Sequence, residues 1–414
     1  MIMDYPKLRY VEAFPSQMNG QAVVCLRDPQ TFTDKVVFLP YNLFYLVSMF
    51  DGQHSILDMQ AAYARQFGNL IFSDHVKNLI EQLDEHLFLD SDRFHEYRRQ
   101  LEEDFTQSPV RKAAHAGGAY EAEPEKLIEQ LDRLFALPDG PGQPVIGSRA
   151  GSLKAAIVPH IDVRRGSSCY AIGYKEIGEA ADADLFILLG TDHCAGTAFF
   201  TMTRKDFETP LGRVETDRAF IDELQGRYGG GDLFANEISH RSEHSIEFQV
   251  IFLQYLFNGK RPFTIVPILC ASFHEMLVHD ILPVDHPRAG VFMRALKETI
   301  MTSEVSGKRM CLIVGADLAH MGQRFGDHEP LTPGFFSFIE AEDRALLDRV
   351  MALDREGFFR MIQKDQDRRR ICGFPSISTL LSTVEGTRGE LLKYDQAVDL
   401  GAQSVVSFAG LVIR

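Results

Sequence analysis

Three apolar runs in this sequence each stop at a histidine with an aspartate close by. Lys154 to Val158 leads through Pro159 into His160 and Asp162, Asp184 to Leu189 leads through Gly190 into Asp192 and His193, and Met310 to Gly315 leads into Asp317 and His320. Imidazole suits iron, zinc or copper, and a neighbouring carboxylate can either ligate or hold the ring N–H from behind. One histidine at a strand end is ordinarily a hydrogen-bonded polar residue; three ends built alike point to a converging site. His160, His193, His320 and Asp317 are therefore the candidate metal ligands, and a divalent metal, one of iron, copper or zinc, is the expected cofactor. The densest polar segment, Glu237 to Glu247, adds Glu243, His244 and Glu247. His244 is a candidate base, since imidazole changes charge near neutrality, and Glu243 and Asp192 are the acids set beside it as catalytic candidates. Glu243 and Glu247 stand four apart on one helix face, where like charges repel, so a cation or a shared proton between them is expected; the plain alternative is a solvated helix start, where acids suit the dipole.

These residues need elements to carry them. Apolar runs without alternation fit parallel strands covered on both faces, and in such sheets ligands bind beyond the carboxyl ends of the strands. Residues 154–158, a helix over 167–180 and the run from 184 form a βαβ unit, with Gly190 letting the chain turn at its end. Phe263 to Cys270 and Ser404 to Ile413 are further strands, and Ser242 can cap a helix running to about Phe257. The fold class is α/β, a mostly parallel sheet flanked by helices, plus a small N-terminal α+β domain. A Ser-His-Asp hydrolase and a nucleotide-binding fold are disfavoured, because no Gly-x-Ser-x-Gly, Gly-x-Gly-x-x-Gly or P-loop follows a strand.

A chain of 414 residues suggests two domains. Residues 1–106 read as an accessory unit: short strands at 23–26 and 36–39, helices over 41–50, from Ser55 and from Ser73, then a short strand at 87–89, a winged-helix-like pattern. Residues 107–150 read as a linker, with charged residues before it, and a first helix entered at Pro124; residues 151–414 form the core. No apolar run reaches the length of a membrane span, and the start lacks the basic and apolar regions of a signal peptide, so the cytoplasm is the expected setting. A formal charge of −15 with no basic patch argues against nucleic acid as a partner. Six cysteines without a Cys-x-x-Cys pair are expected as reduced thiols, with Cys194 and Cys372 placed where a site could use them.

The motifs taken together resemble a known family. Val158-Pro159-His160, Leu189-Gly190-Thr191-Asp192-His193, Ser242 to Glu247, Gly315 to Phe325 and Ile371-Cys372-Gly373 look like the successive motifs of the Memo family, and Arg111 to Gly117 resembles its N-terminal segment. That family is similar in fold to the class III extradiol dioxygenases, which use non-haem iron. In microbes it is grouped with an AMMECR-type protein and a radical-SAM enzyme, the AmmeMemoRadiSam system, which implies these two as partners. The resemblance implies metal ligands at His160 and His193 and matches Glu243 and His244 to the family's acid and histidine on the cleft helix. Its third ligand position, a cysteine in animal members, falls on Ala319, which cannot ligate. His320, Asp317 or Cys194 could replace it, or the site holds metal weakly or not at all. Phe50 to Ile56 and Gln82 to Leu89 resemble PqqD-like peptide-recognition domains, which implies a peptide as a partner of the first unit. The expected function is a metal-dependent, redox-related protein of this family; the alternatives are a non-catalytic peptide- or ligand-binding protein and an extradiol-type dioxygenase.

Overall fold

The computed structural model describes residues 3–138, 140–149, 151, 153–194 and 198–414; Met1, Ile2 and Asp139, part of the expected start and of the expected loop at 138–144, lie outside the described residues. The chain divides into two compact units, Met1–Gln107 and Ser108–Arg414. In the first, β1 (Glu12–Met18), β2 (Gln21–Arg27) and β3 (Val36–Pro40) form an antiparallel meander. Asn19 and Gly20 both adopt positive φ between Met18 and Gln21, which gives the tight turn whose twist suits a two-residue hairpin. Four helices follow: α1 (Tyr41–Val47), α2 (Ile56–Phe67), α3 (Ser73–Glu85) and α4 (Asp92–Gln107). Ser55 and Asp58 close a reciprocal capping box at the start of α2, and Gly68 ends it in the left-handed region. Leu26, Met59, Val76 and Leu83 share one core. The charged stretch read as the approach to a linker is α4, which buries only Phe94 and Phe105. Pairs such as Arg98–Glu102 and Arg99–Glu103 run along its exposed side. The strand expected at 87–89 is reduced to one bridge between Leu8 and Leu89.

The second unit runs β4 (Val110–Arg111), α5 (Pro124–Phe135), β5 (Ala155–Val158), α6 (Ser167–Ala180), β6 (Leu185–Thr191), β7 (Phe200–Met202), β8 (Asp206–Thr209), β9 (Gly212–Val214), α7 (Arg218–Tyr228) and α8 (His244–Phe257). It continues with β10 (Thr264–Cys270), α9 (His274–His279), α10 (Ala289–Val305), β11 (Met310–Gly315), β12 (Asp317–Gly322), α11 (Pro333–Met351), α12 (Arg355–Lys364), α13 (Phe374–Thr383), β13 (Gly389–Asp399) and β14 (Ser404–Ile413). One sheet has the order β12-β14-β5-β11-β6-β10-β7 with β13 on β14, and a small one joins β4, β8 and β9. The inner strands β5, β11, β6 and β10 are parallel, while β14 and β7 pair antiparallel at either side, so the sheet is mixed. β11 lies between β5 and β6, so the βαβ crossover read from sequence skips one strand.

Every residue of β6 is buried, which explains its unbroken apolar run. Leu185, Ile187 and Leu189 enter the core on one face and Phe186 and Leu188 the core on the other. On that second face Tyr170 and Tyr174 of α6 stack on Phe252 of α8 at 4.8 and 4.5 Å between ring centroids. Gly190 lies inside β6 rather than at a turn. A Cβ there would sit 2.5 Å from Ser245 Oγ and 2.7 Å from Ile246 Cγ1, and one on Gly315 would sit 2.5 Å from Ser245 O. These two glycines let the first turn of α8 press against the ends of β6 and β11. That contact brings the acid and histidine of α8 to the carboxyl edge of the parallel strands.

Candidate functional site

His160 stands two residues beyond β5, 2% exposed. Its Nδ1 lies 2.9 Å from Gly315 O, and its backbone N–H donates to Asp317 Oδ1 at 3.0 Å. A carbonyl can only accept, so Nδ1 carries the proton and Nε2 presents a lone pair. Cys372 Sγ lies 3.2 Å from that Nε2. His193 stands two residues beyond β6, with Nδ1 2.9 Å from Glu243 Oε2, which also accepts the His193 backbone N–H at 3.1 Å. Glu243, rather than Ser242, is the cap of α8: its Oε1 accepts Ser245 N–H at 2.8 Å and lies 3.2 Å from His244 Nδ1. One carboxylate therefore orients two imidazoles, and both its oxygens are fully engaged. The rings of His160 and His193 meet edge-on at 5.2 Å, those of His160 and His244 at 5.3 Å, and His193 stacks on His244 at 4.9 Å.

Burial pulls the His160 ring down to about 4, with the neighbouring His193 acting in the same direction. Burial also outweighs Glu243 at His244 and holds it well below the usual imidazole value. At His193 desolvation pulls down, but Glu243, with Asp192 and Asp317, pulls up more strongly, so the net shift is upward. Glu243 answers in kind: burial raises it, the two histidines lower it more, and it stays ionised well below the ordinary carboxyl range. Burial lifts Asp317 to about 6 and pushes the Cys372 thiol well up.

Among the described residues two groups of three donors have their ligand atoms within 4.8 Å of one another: His160, His193 and Cys372, and His193, Glu243 and His244. Asp317 and His320 fall in neither. Asp317 sits beside His160, its Oδ2 3.7 Å from Nε2. His320 lies in β12 with Nδ1 3.1 Å from Leu318 O and 3.2 Å from Arg370 O. Ala319 is 1% exposed and packs in the apolar core. Asp192 lies at the end of β6, its Oδ1 accepting the Cys194 N–H at 2.9 Å. Cys372 had no local sequence signal for this neighbourhood beyond its short motif, because it meets His160 across 212 residues of chain.

Arg111, fully buried at the end of β4, is the residue that sequence reasoning passed over. Its guanidinium binds the Glu247 carboxylate and donates to His240 O and Glu243 O at 2.8 Å each. Glu247 also accepts the Ala114 and His115 N–H groups and the Tyr120 hydroxyl. Glu247 thus faces away from the imidazoles, and the cation expected between two acids instead pairs with one of them and ties down the backbone of the other. No charge pattern near Arg111 in the sequence signals this, since its partners come from residues 240–247.

The imidazoles of His160 and His193, the Cys372 thiol beside them and the Glu243 carboxylate behind His193 form a donor set suited to a transition metal. A family model described as Memo-like protein matches residues 111–412. A MEMO1 family protein of Aquifex aeolicus is 29% identical over 410 residues, covering 98% of this chain and 99% of its own length. Another from Methanopyrus kandleri is 28% identical over 312 residues, 73% of this chain and 99% of its own. A third, from Caldivirga maquilingensis, is 30% identical over 299 residues, 70% of this chain and 93% of its own. The Aquifex alignment takes in both units.

Proposed function

The chain belongs to the Memo-like protein family, and from that premise we propose that its second unit binds one divalent metal, iron or copper, through His160, His193 and Cys372 and serves redox chemistry. The observation that carries this reading is the convergence of those three donors within 4.8 Å. Two metal–ligand bonds of about 2.0–2.3 Å each reach at most about 4.6 Å, so donors within 4.8 Å of one another need only a small inward shift to share an ion, and the mixed imidazole and sulfur set suits copper, iron and zinc while disfavouring magnesium or calcium. Bound iron or copper would supply electron-transfer or dioxygen chemistry. Cys372 is proposed as third donor in place of Ala319, with Gly315 O holding the His160 ring N–H from behind, Asp317 accepting the His160 backbone N–H, and His320 outside the donor group. Binding a dication requires Cys372 to lose its proton, which its burial opposes until the metal arrives. Glu243 keeps the Nδ1 protons of His193 and His244 in place, and His244, neutral at physiological pH, is available to accept a hydrogen bond or a proton from a bound ligand.

An extradiol-type ligand set would need Glu243 to give up its bonds to His193 and Ser245, which counts against it. The non-catalytic reading draws on one observation: the Cys372 thiol and His160 Nε2, 3.2 Å apart, satisfy each other as a hydrogen bond without any ion. Among the described residues no helix is long and apolar enough to cross a membrane. The proposed setting is the cytoplasm, which keeps Cys194 and Cys372 reduced. The proposed partners are an AMMECR-type protein and a radical-SAM enzyme, with the first unit presenting a peptide. Elemental analysis of protein purified anaerobically tests the reading: about one iron or copper per chain is expected, falling on His160→Ala, and no metal in either form would favour the hydrogen-bonded, non-catalytic site.

A further inference from the structure

His320 has the residue type of a ligand and stands in neither donor group; its bonds reach instead the segment that carries Cys372. Between α12 and α13 the chain makes a turn in which Gln366, Asp367 and Arg370 adopt φ of 55°, 55° and 53°, and Cys372 follows just ahead of Phe374, the first residue of α13. A Cβ crowds the backbone in that left-handed region, so such a turn keeps its shape only where its surroundings hold it. β12 does the holding. Its Asp317 O accepts the Gly373 N–H at 3.1 Å, and its His320 N–H donates to Arg369 O at 2.7 Å. The His320 ring adds a second hold: Nδ1 lies 3.1 Å from Leu318 O and 3.2 Å from Arg370 O. Carbonyls only accept, so Nδ1 carries a proton shared between the two, and the ring bridges its own strand to the left-handed turn. Arg370 returns the contact, its Nη1 donating to His320 O at 3.2 Å while its Nη2 pairs with Asp327 at 2.9 Å. The register of β12 against β14 shifts between Asp317 and His320, the kind of irregularity that re-aims a side chain beside a site.

We propose that His320 is a positioning residue for Cys372: its ring N–H pins the turn at Arg370 O and so holds the thiol sulfur 3.2 Å from His160 Nε2. Cys372 follows the pinned carbonyl so closely in the chain that slack at Arg370 passes directly to the sulfur. A side chain that only fills space would take away the ring donor that Arg370 O now has. Asparagine, whose amide nitrogen stands about where Nδ1 does, would keep one. What the pinning means for a bound ion rests on the metal reading of Cys372; the pinning itself needs no ion.

Alkylation of the full-length, chelator-treated protein by iodoacetamide, read cysteine by cysteine in a mass spectrometer, tests the pinning without metal. Loss of one hydrogen bond to a partly buried carbonyl should speed the labelling of Cys372 in His320→Ala about tenfold, while Cys270 and Cys311, fully buried in the sheet, stay as protected as in the wild type. His320→Asn should bring Cys372 back close to the wild-type rate. Labelling of Cys372 in His320→Ala within about twofold of wild type, faster labelling of all three cysteines together, or an asparagine variant no slower than the alanine one overturns the proposal. Selective opening of Cys372 in a protein that takes up no metal would sustain this role and fell the metal reading; a metal-loaded wild type whose Cys372 is indifferent to His320 would do the reverse.

Discussion

Replacing Arg111 with methionine removes the guanidinium that faces Glu247 from β4 while keeping a side chain of similar length. Both Arg111 and Glu247 are fully buried. The variant leaves Glu247 with its Ala114, His115 and Tyr120 donors and without its Arg111 countercharge, and it also strips the 2.8 Å bonds to His240 O and Glu243 O. Removing one partner of a buried pair costs about 3–5 kcal/mol, because the remaining charge stays desolvated. Urea unfolding followed by circular dichroism should show that loss as a lower midpoint at unchanged slope. The pH dependence carries a second signature. In the wild type burial raises Glu247 but Arg111 lowers it more, so its stabilisation is present above the unfolded carboxyl value and fades as pH falls through the lower folded one. In the variant burial acts without the guanidinium to oppose it and the folded value rises, so a penalty grows as pH climbs above about 4.3. The gap between the two proteins therefore widens between about pH 4 and pH 7. Arg111→Met/Glu247→Gln, with the charge gone, should recover part of the loss. A single variant within about 1 kcal/mol of wild type, or a gap that does not change with pH, would refute the reasoning.

Three further perturbations follow from the same geometry. His240 is buried, its Nε2 3.1 Å from Thr201 O, and burial holds it at about 3. Because that folded value lies below the unfolded one of about 6.5, its contribution is present at neutral pH and lost on acidification; wild type should lose roughly 2–3 kcal/mol relative to His240→Asn between about pH 7 and pH 4.5, and parallel pH profiles would contradict this. Glu243→Gln replaces an acceptor of several N–H groups with one that has a single oxygen, and should weaken metal binding roughly 10–100-fold in chelator competition, an unchanged affinity counting against its orienting role. Gly190→Ala drives a Cβ to 2.5 Å from Ser245 Oγ and should cost about 1–3 kcal/mol in thermal unfolding, while a neutral result would mean that α8 can shift away from β6.

What was legible in the sequence follows from where the chain is buried. β5, β6, β10 and β11 announced themselves because parallel strands covered on both faces carry no polar residues to break the run, and the histidines at the ends of β5 and β6 were conspicuous against it. β13 did not stand out: it is only partly buried and interleaves Glu390, Lys393 and Asp395 with apolar residues. α4 was hidden for a related reason, a helix with two buried positions whose exposed side carries ion pairs. At the site, Glu243 and His244 shared one short motif with their helix start, so their company could be read directly. The long-range pairings could not: Cys372 with His160 and Arg111 with Glu247 are set by strand order and by the packing of α8, which local pattern does not encode.

The central claim is that Cys372 sulfur and two imidazoles hold one metal, and the optical spectrum of the cobalt-loaded protein tests it most directly. A coordinated thiolate adds a sulfur-to-metal charge-transfer band that imidazole and carboxylate ligands do not produce. The account predicts that this band is present in the wild type, survives Cys194→Ser and disappears in Cys372→Ser, while His160→Ala and His193→Ala lower the amount of cobalt held. A stoichiometrically loaded wild type without the band, or a band that survives Cys372→Ser, would contradict it.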